Sequence, residues 1–283
     1  VDEQGNPAPA PLAGSPTTEI TNTLSGSFNN MGVPGARSFE LTVNGYGNAG
    51  NLPAANPYFV RFASSPDASV IEDAVAQSPS FFSLWIGNND VLGYATNGGS
   101  GVDQTGNLDP STYGRNDITD PNVFAQVYSG LVEGLNQSAS GGILFNIPDV
   151  TSVPFFKVVP PNPVPLDEAT AAQLNSQFGL YNTQVLPGLV QANIISEAEA
   201  EQRQVSFSAG NNFVTMQDET LTDISTILVQ NFGLDQQTAQ TLSQLRQANA
   251  SDLIPLTASS IIGTTVNNDP TLINGVSVPL SDQ

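Results

Sequence analysis

The stretch from Phe81 to Asp90 constrains the fold more than any other part of the chain. It reads Phe-Phe-Ser-Leu-Trp-Ile-Gly-Asn-Asn-Asp, so an apolar run changes to polar residues without a spacer. A continuous apolar run is typical of an interior strand of a parallel sheet, which is covered on both faces. Ligands of open α/β sheets bind beyond the carboxyl ends of such strands. Gly87 to Asp90 is therefore either a polar site or ordinary strand-to-helix turn chemistry, which also uses Gly, Asn and Asp.

Composition and charge exclude several classes of function. The 283 residues include 25 Gly and 21 Pro, and 39% are hydrophobic while 11% are charged, which predicts a compact protein with long ordered loops. Lys and Arg number 6 against 26 Asp and Glu, so the formal net charge is -20. A field of this sign repels phosphate backbones, and we expect no nucleic-acid partner. No apolar run approaches the length of about 18 residues that predicts a transmembrane segment.

The absence of histidine and cysteine limits the available chemistry. Without cysteine, disulfides and thiolate metal sites are excluded within this chain. Without histidine, a Ser-His-Asp mechanism lacks the base that titrates near neutral pH. Lys157 is the only lysine and has no serine motif beside it, which argues against a Ser-Lys dyad. Ser38 is a candidate nucleophile, but with no base in reach we expect it to cap a helix.

Strand and helix signals alternate along the chain, as in α/β proteins. Helices are predicted after Ser65-Pro66, after Asp120-Pro121 and, as a long apolar stripe, beyond Pro165. Predicted strands cover residues 28–33, 81–86 and 143–147, and a hairpin outside the main sheet is predicted over 205–217 around Gly210-Asn211-Asn212.

A loop over residues 96–120 is rich in Gly, Asp and Asn. Its side-chain oxygens at Asp103, Asn107 and Asp109 could wrap Ca²⁺, which takes carboxylate and carbonyl ligands from flexible loops. The spacing lacks the full EF-hand pattern and its closing Glu, so a solvated, turn-rich loop is the alternative. Apart from this structural Ca²⁺, no cofactor is expected.

Two blocks resemble those of a known enzyme family. Gly87-Asn88-Asn89-Asp90 matches the Gly-x-Asn-Asp block of the SGNH (GDSL-type) serine ester hydrolases. Residues 30–36, Asn-Met-Gly-Val-Pro-Gly-Ala, look like the preceding glycine-bearing block of that family. The order of the blocks and the helix predicted between them also fit. The likeness covers nearly the whole chain and is greatest to the long SGNH-type lipoproteins or lipases of Bacteroidetes-like bacteria.

The resemblance implies a fold, an activity and a location. The fold would be a three-layer α/β/α, flavodoxin-like domain with a parallel sheet of about five strands, long loop insertions and a small extra hairpin. The activity would be lipase or esterase hydrolysis of an ester or acylated substrate through an acyl-enzyme. The protein would be secreted, or anchored at the outer membrane or cell surface of a bacterium.

The resemblance also assigns roles to five residues of this chain. Gly35, by its backbone N–H, and Asn89, by its side-chain amide, would be oxyanion donors. Asp90 would hold the Asn89 loop in place. Phe155 and Phe156 would contact the acyl chain, although packing within their own loop is an equal alternative. Gly35 likewise has a second interpretation, as a glycine that a tight turn requires.

The serine and Asp-x-x-His blocks of the family are missing from this sequence. We therefore expect a single SGNH-like domain over residues 1–283, incomplete at both ends, with the catalytic Ser and His in flanking segments or a partner chain. Residues 1–26 would be an irregular insertion, 27–150 the sheet core, and 151–283 the cleft loop, helices and hairpin. Two alternatives are a non-catalytic SGNH-like surface domain that binds a carbohydrate or a protein, and an accidental match in a structural surface protein.

Overall fold

The computed structural model describes residues 14, 19, 22–52 and 54–280, so most of the expected irregular insertion over 1–26 lies outside the described residues. The described residues divide into two compact units, one that ends at Val150 and one that begins at Thr151. They are called the N-terminal and the C-terminal unit, and each is described by itself. The expectation of one domain over 1–283 stays a prediction.

The N-terminal unit combines short helices with two strands. Its elements are α1 (Pro57–Val60), α2 (Val70–Ala76), β1 (Phe82–Leu84), α3 (Asn88–Thr96), α4 (Pro121–Leu135) and β2 (Gly142–Leu144), with 3-10 turns at Ser38–Thr42, Ala49–Asn51 and Pro110–Thr112. Leu84 and Ile86 pack with Leu131 of α4 in one buried cluster, and a second cluster forms around Phe59.

The C-terminal unit is built around a long helix. Its elements are β3 (Val164–Leu166), α5 (Glu168–Leu180), a π turn (Tyr181–Val185), α6 (Leu186–Gln191), α7 (Glu197–Gln202), β4 (Gly210–Asn212), β5 (Thr215–Gln217), α8 (Ser225–Phe232), α9 (Gln236–Leu242), β6 (Leu245–Gln247), β7 (Thr265–Val266) and β8 (Asp269–Ile273). The π turn ends at Val185, two residues before Pro187, which has no N–H to donate to the preceding turn.

The named strands of the described residues pair only in two-stranded sheets, and isolated bridges add further single contacts. β1 and β2 pair in parallel, with Phe82 opposite Gly142 and Leu84 opposite Leu144. The other pairs, β3 with β4, β5 with β6, and β7 with β8, are antiparallel. The named strands thus include one parallel pair, and a three-layer fold with about five parallel strands stays a prediction.

Helix α4 begins where its sequence signal predicts. The Asp120 carboxylate accepts hydrogen bonds from the backbone N–H groups of Asn122 at 2.7 Å and Val123 at 2.9 Å, and Pro121 is the first helical residue. In α5 to α6 the predicted stripe is also confirmed, because all five of its apolar residues are buried: Leu174, Phe178, Tyr181, Val185 and Leu189.

Two predictions in the N-terminal unit are wrong. Helix α2 begins at Val70 rather than after Ser65-Pro66, because Ser69 and Glu72 form a capping box. The box satisfies two orphan N–H groups, with Ser69 N–H donating to Glu72 Oε2 at 2.8 Å and Glu72 N–H to Ser69 Oγ at 3.3 Å. Residues 28–33 form irregular chain instead of a strand.

The hairpin predicted over 205–217 is also wrong. Gly210–Asn212 is strand β4 and pairs with β3, while Thr215–Gln217 is β5 and pairs with β6. These partners are distant in sequence, so pairing across the unit prevails over a local turn signal. A hairpin does form between β7 and β8, where Asn267 and Asn268 have φ of 53° and 59°, both in the left-handed region.

No helix in the described part of the chain is long and apolar enough to cross a membrane.

Candidate active site at the end of strand β1

The turn that joins β1 to α3 requires glycine at position 87. Gly87 is the N-cap of α3 and has φ of 113°, a conformation that other residues rarely adopt. A Cβ at this position would lie 2.7 Å from Ile147 Cδ1 and 2.8 Å from Phe124 Cε2. Residues 88–90 then form the first turn of α3. The backbone thus forms the strand-to-helix turn that was one of the two alternatives for this segment. The same turn places three polar side chains, those of residues 88–90, at the end of β1.

Asn89 brings the two family-like blocks together. Its Nδ2 donates a hydrogen bond to the carbonyl oxygen of Ala36 at 2.8 Å, across 53 residues of sequence. Asn89 is half-buried, while Gly35, the neighbour of Ala36, is exposed. An amide nitrogen carries two hydrogens, so this bond leaves one for a second acceptor. Asn89 therefore contacts the residue that follows Gly35, the other residue expected to donate to an oxyanion.

Gly35 occupies a tight turn, which was the second interpretation of this residue. The Ala36 N–H donates to Val33 O at 3.2 Å, Pro34 precedes Gly35, and Gly35 has φ of 78°. This pattern is that of a type II turn, which needs a positive φ at its third residue. The Gly35 N–H has no hydrogen-bond acceptor among residues 22–52 and 54–280. Turn formation and donation to a ligand are thus compatible at this glycine.

Asp90 connects helix α3 by hydrogen bonds to Ser38, which lies shortly after Gly35 in the chain. Its carboxylate accepts the Ser38 backbone N–H at 2.8 Å and the Ser38 hydroxyl at 2.7 Å. Asp90 is 2% exposed and Ser38 is 0% exposed. Burial raises the pKa of Asp90, and the two hydrogen bonds from Ser38 oppose that rise.

The structure changes the expectation for Ser38. Arg37, not Ser38, is the N-cap residue of the 3-10 turn Ser38–Thr42. Because the Ser38 hydroxyl is fully buried and donates to the Asp90 carboxylate, a substrate has no access to it. Ser38 therefore positions the site rather than attacking a substrate.

An ion pair that sequence reasoning missed supports the same block. Arg37 pairs with Glu40 at 3.1 Å and donates to Gly114 O at 2.9 Å, and its guanidinium lies 4.6 Å from the ring centre of Phe39. Glu40 also accepts the Tyr46 hydroxyl at 3.0 Å. Burial raises the pKa of Tyr46 to about 12. The Arg37 and Glu40 pair, three residues apart in a 3-10 turn, was a signal available in the sequence.

A groove of about 830 Å³ runs along β1 and reaches Asn88 and Asn89. Residues 79–89 form one side, and residues 29–33 and one face of α2 contribute to the rest. No charged residue lines it. The Asn88 Oδ1 atom is buried and has no hydrogen-bond partner among the described residues. The groove was not predicted, because it depends on how far residues 29–33 lie from β1 in space.

The candidate calcium ligands cap turns in their own loop. Asp103 Oδ1 accepts from Thr105 N–H at 2.9 Å, Asn107 Oδ1 from Asp109 N–H at 3.1 Å, and Asp109 Oδ1 from Ser111 N–H at 3.1 Å. The hydrogen bonds from Thr105 lower the pKa of Asp103, and those from Ser111 lower the pKa of Asp109. Within the described ranges, no group of three or more carboxylates is placed to hold a metal. Calcium binding by this loop stays a prediction.

Phe155 and Phe156 belong to the C-terminal unit. They lie in the 3-10 turn Pro154–Phe156 and contact each other edge to face, with ring centres 5.1 Å apart. Phe156 is buried and Phe155 is half-buried. This is the packing that the loop-core alternative describes, and contact with an acyl chain stays a prediction.

The site as a whole offers hydrogen-bond donors and one buried carboxylate, in a unit whose sequence contains no His, Lys or Cys. Donors of this kind stabilise a developing oxyanion but cannot by themselves attack a substrate.

Comparisons of the chain with protein-family models, with curated proteins and with solved structures find no match in any of the three.

Proposed function

We propose that this chain carries the oxyanion-binding half of an SGNH/GDSL-type ester hydrolase that acts on an ester or acylated substrate at a bacterial cell surface. The observation that supports the proposal most is the hydrogen bond of Asn89 Nδ2 to Ala36 O at 2.8 Å, because it places the amide beside Gly35. Two residues that match separate blocks of one family pattern therefore meet in space.

The chemistry assigned to each residue follows from its free hydrogen-bond capacity. The second hydrogen of the Asn89 amide and the Gly35 N–H would donate to the oxyanion of a tetrahedral intermediate. One such donor contributes about 3 kcal/mol of transition-state stabilisation in a preorganised site. Asp90 would hold the geometry through Ser38 and take no part in proton transfer, since its carboxylate is buried and doubly hydrogen-bonded.

The nucleophile and its base would come from another segment of the same protein or from a partner chain. Ser38 is inaccessible, and imidazole is absent from the sequence. The attacking group would approach the end of β1, where Asn88 and Asn89 reach the groove.

A second candidate function is non-catalytic binding of a carbohydrate or a protein by an SGNH-like surface domain. One observation favours it: Trp85 is 58% exposed and contacts Phe145, which is 44% exposed, with ring centres 5.6 Å apart and the rings tilted by 31°. Exposed aromatic pairs of this kind often mark binding surfaces.

The test uses the protein as its own cells make it, with its intact mass and both termini determined first. Hydrolysis of p-nitrophenyl butyrate and labelling by a fluorophosphonate probe then report ester turnover and an activated serine. We expect Asn89→Ala to lower kcat by about 10²- to 10³-fold with a smaller change in KM. Asn136→Ala, at the exposed end of α4, is the matched control and should leave kcat unchanged.

Two results would contradict the proposal. Full ester turnover by Asn89→Ala would remove the oxyanion role from that residue. If the native protein showed neither ester turnover nor labelling by the probe, the binding function would be favoured instead.

A further inference from the structure

Strand β1 has an open hydrogen-bonding edge. The Phe82 N–H donates to Gly141 O at 3.3 Å and the Phe145 N–H donates to Leu84 O at 3.0 Å, so the backbone groups of Phe82 and Leu84 face β2. Backbone groups of successive strand residues point to opposite edges. The N–H and C=O groups of Ser83 and Trp85 therefore point away from β2, and they have no partner among residues 22–52 and 54–280.

The groove lies along this residue run. It is lined without interruption by residues 79–89, which include Ser83 and Trp85, and residues 29–33 lie among its other walls. Since every residue of β1 is part of this lining, an extended chain in the groove would run alongside the strand.

The surface around the edge also lacks the cover that a parallel sheet needs. Parallel strands are normally buried on both faces, and a two-stranded sheet alone is marginally stable in water. Here Leu84 and Ile86 are buried against α4, whereas the other side of the pair exposes large apolar side chains. These are Phe81 at 59%, Trp85 at 58%, Ile143 at 50% and Phe145 at 44%.

We propose that the groove binds an extended, uncharged segment of another polypeptide, which adds to β1 as a strand and hydrogen-bonds to the backbone of Ser83 and Trp85. The open edge indicates a strand rather than a helix, because only a strand presents a matching row of N–H and C=O groups. The groove has no charged lining residue, so the segment is uncharged, with apolar side chains toward Leu84 and Leu131.

Strand binding at this edge does not require ester hydrolysis, and its readout is separate. The chain contains no cysteine and one tryptophan, Trp85. A single cysteine introduced by Ser80→Cys, at the start of the groove, can therefore tether a peptide, and Trp85 reports its arrival. Tethering raises the effective concentration to about the millimolar range, so that weak strand pairing becomes measurable.

The probe is the uncharged β-forming peptide Thr-Val-Ile-Val-Ala-Thr, joined through a Gly-Gly linker to a cysteine. An N-terminal cysteine tests parallel addition and a C-terminal cysteine tests antiparallel addition. We expect at least one of the two to slow amide exchange at Ser83 and Trp85 by about tenfold or more, and to shift Trp85 emission to shorter wavelength. A peptide with proline at alternate positions is the control, because it cannot donate the pairing hydrogen bonds.

Two variants of the protein distinguish backbone pairing from nonspecific association of the peptide with the apolar surface. Ser83→Pro removes an N–H from the open edge of β1 and should abolish the protection of Trp85 by the tethered peptide. Leu144→Pro removes an N–H from the outer edge of β2 and should leave that protection within about twofold of the parent. Unchanged exchange with both tethers, or equal protection in Ser83→Pro, would overturn the proposal. Protection of the Trp85 amide in the native protein without any tether would assign the edge to a segment of the protein itself or, where light scattering shows a dimer, to a second copy, and either result would overturn the proposal.

Discussion

The Asp90 carboxylate holds both hydrogen-bond donors of Ser38, the backbone N–H at 2.8 Å and the hydroxyl at 2.7 Å, in a site from which water is nearly excluded. These two bonds connect the first turn of α3 to the 3-10 turn that follows Gly35. The distance from Asn89 to Ala36 depends on that connection, because Asn89 and Asp90 are neighbours on α3. The geometry of the candidate site is thus maintained by a residue that is itself buried.

Replacement of Asp90 by Ala should destabilise the N-terminal unit by about 3 kcal/mol, since two buried donors of Ser38 lose their acceptor. Asp90→Asn should cost less, because one side-chain oxygen remains to accept. Urea denaturation followed by circular dichroism measures both. Asp67→Ala, at an exposed carboxylate in the same unit, should change the free energy of unfolding by less than about 0.5 kcal/mol. Equal effects at Asp67 and Asp90 would contradict the buried connection.

The glycines at positions 87 and 130 should respond to alanine in opposite directions. Gly87→Ala should cost about 3 kcal/mol or more, because φ is 113° and the new Cβ would lie 2.7 Å from Ile147 Cδ1. Gly130 lies in helix α4 with nothing within 4 Å of its added Cβ, so Gly130→Ala should stabilise by about 0.5–1 kcal/mol. Thermal denaturation of the two variants decides the comparison.

Substitution of Asn89 by Asp should make stability depend on pH. At neutral pH the new carboxylate would face the Ala36 carbonyl, an acceptor 2.8 Å from the present Nδ2, and no hydrogen would lie between them. The protonated acid can still donate to Ala36, so the variant should be most stable at low pH and lose stability as pH rises through the titration of the new carboxyl group. Asn89→Ala should show no such added dependence. Chemical denaturation at several pH values, with the parent protein alongside, measures the difference.

The C-terminal unit should depend strongly on Arg203, which is 0% exposed. Its guanidinium donates to Glu199 at 2.8 and 2.9 Å, to Ser243 O at 2.9 Å and to Thr222 O. Arg203→Ala should cost about 3–5 kcal/mol, because Glu199 and the two carbonyls lose a buried partner. Arg203→Lys keeps the charge but not the planar set of donors. Its free energy of unfolding should therefore lie between that of the parent and that of Arg203→Ala.

Lys157→Ala is the control for Arg203 in the same unit, because Lys157 is exposed. Urea denaturation should place Lys157→Ala near the parent protein. A loss below about 1 kcal/mol in Arg203→Ala would show that the buried network contributes little.

The pair of Arg246 and Asp252 predicts a loss of stability in acid. Arg246 binds both oxygens of Asp252, at 2.7 and 2.9 Å, and these hydrogen bonds lower the pKa of Asp252 below its usual value of 3.8. Because the pKa is lowered in the folded state, the stabilisation is present above pH 3.8 and is lost as pH falls through the folded-state pKa. The difference in stability between the parent and Asp252→Asn should therefore be constant above about pH 5 and shrink below pH 3.8. A difference that grew in acid would show that the pair has another role.

Much of the local structure could be predicted from sequence, because the signals involved act over a few residues. Asp120-Pro121 placed the start of α4. Ser196-Glu197-Ala198-Glu199 has the residue pattern of a capping box, and Ser196 Oγ accepts the Glu199 N–H at 3.0 Å. The Glu199 side chain departs from that pattern, since it pairs with Arg203 instead of returning to Ser196. Local signals thus indicated where a helix begins but not which distant group its charged side chain would meet.

Contacts between distant residues decided the rest. Gly210-Asn211-Asn212 carries the composition of a turn, yet it pairs with β3 because strand partners across the unit satisfy its backbone. Phe81 and Trp85 belong to an apolar run that predicts burial on both faces, yet each is more than half exposed. Burial of a strand depends on which other elements pack against its faces. The pattern of apolar residues within one strand does not show whether such elements are present.

The sequence by itself determined that an apolar strand runs directly into the glycine-bearing polar segment Gly87 to Asp90, and that these 283 residues supply no imidazole or thiol. Those properties follow from residue type and short-range backbone preferences. Only the tertiary structure decided that Asn89 meets Ala36, that Asp90 binds Ser38, and that an uncharged groove follows the open edge of β1. Each of these involves groups dozens of residues apart, which packing and hydrogen bonding bring together only when the chain has folded.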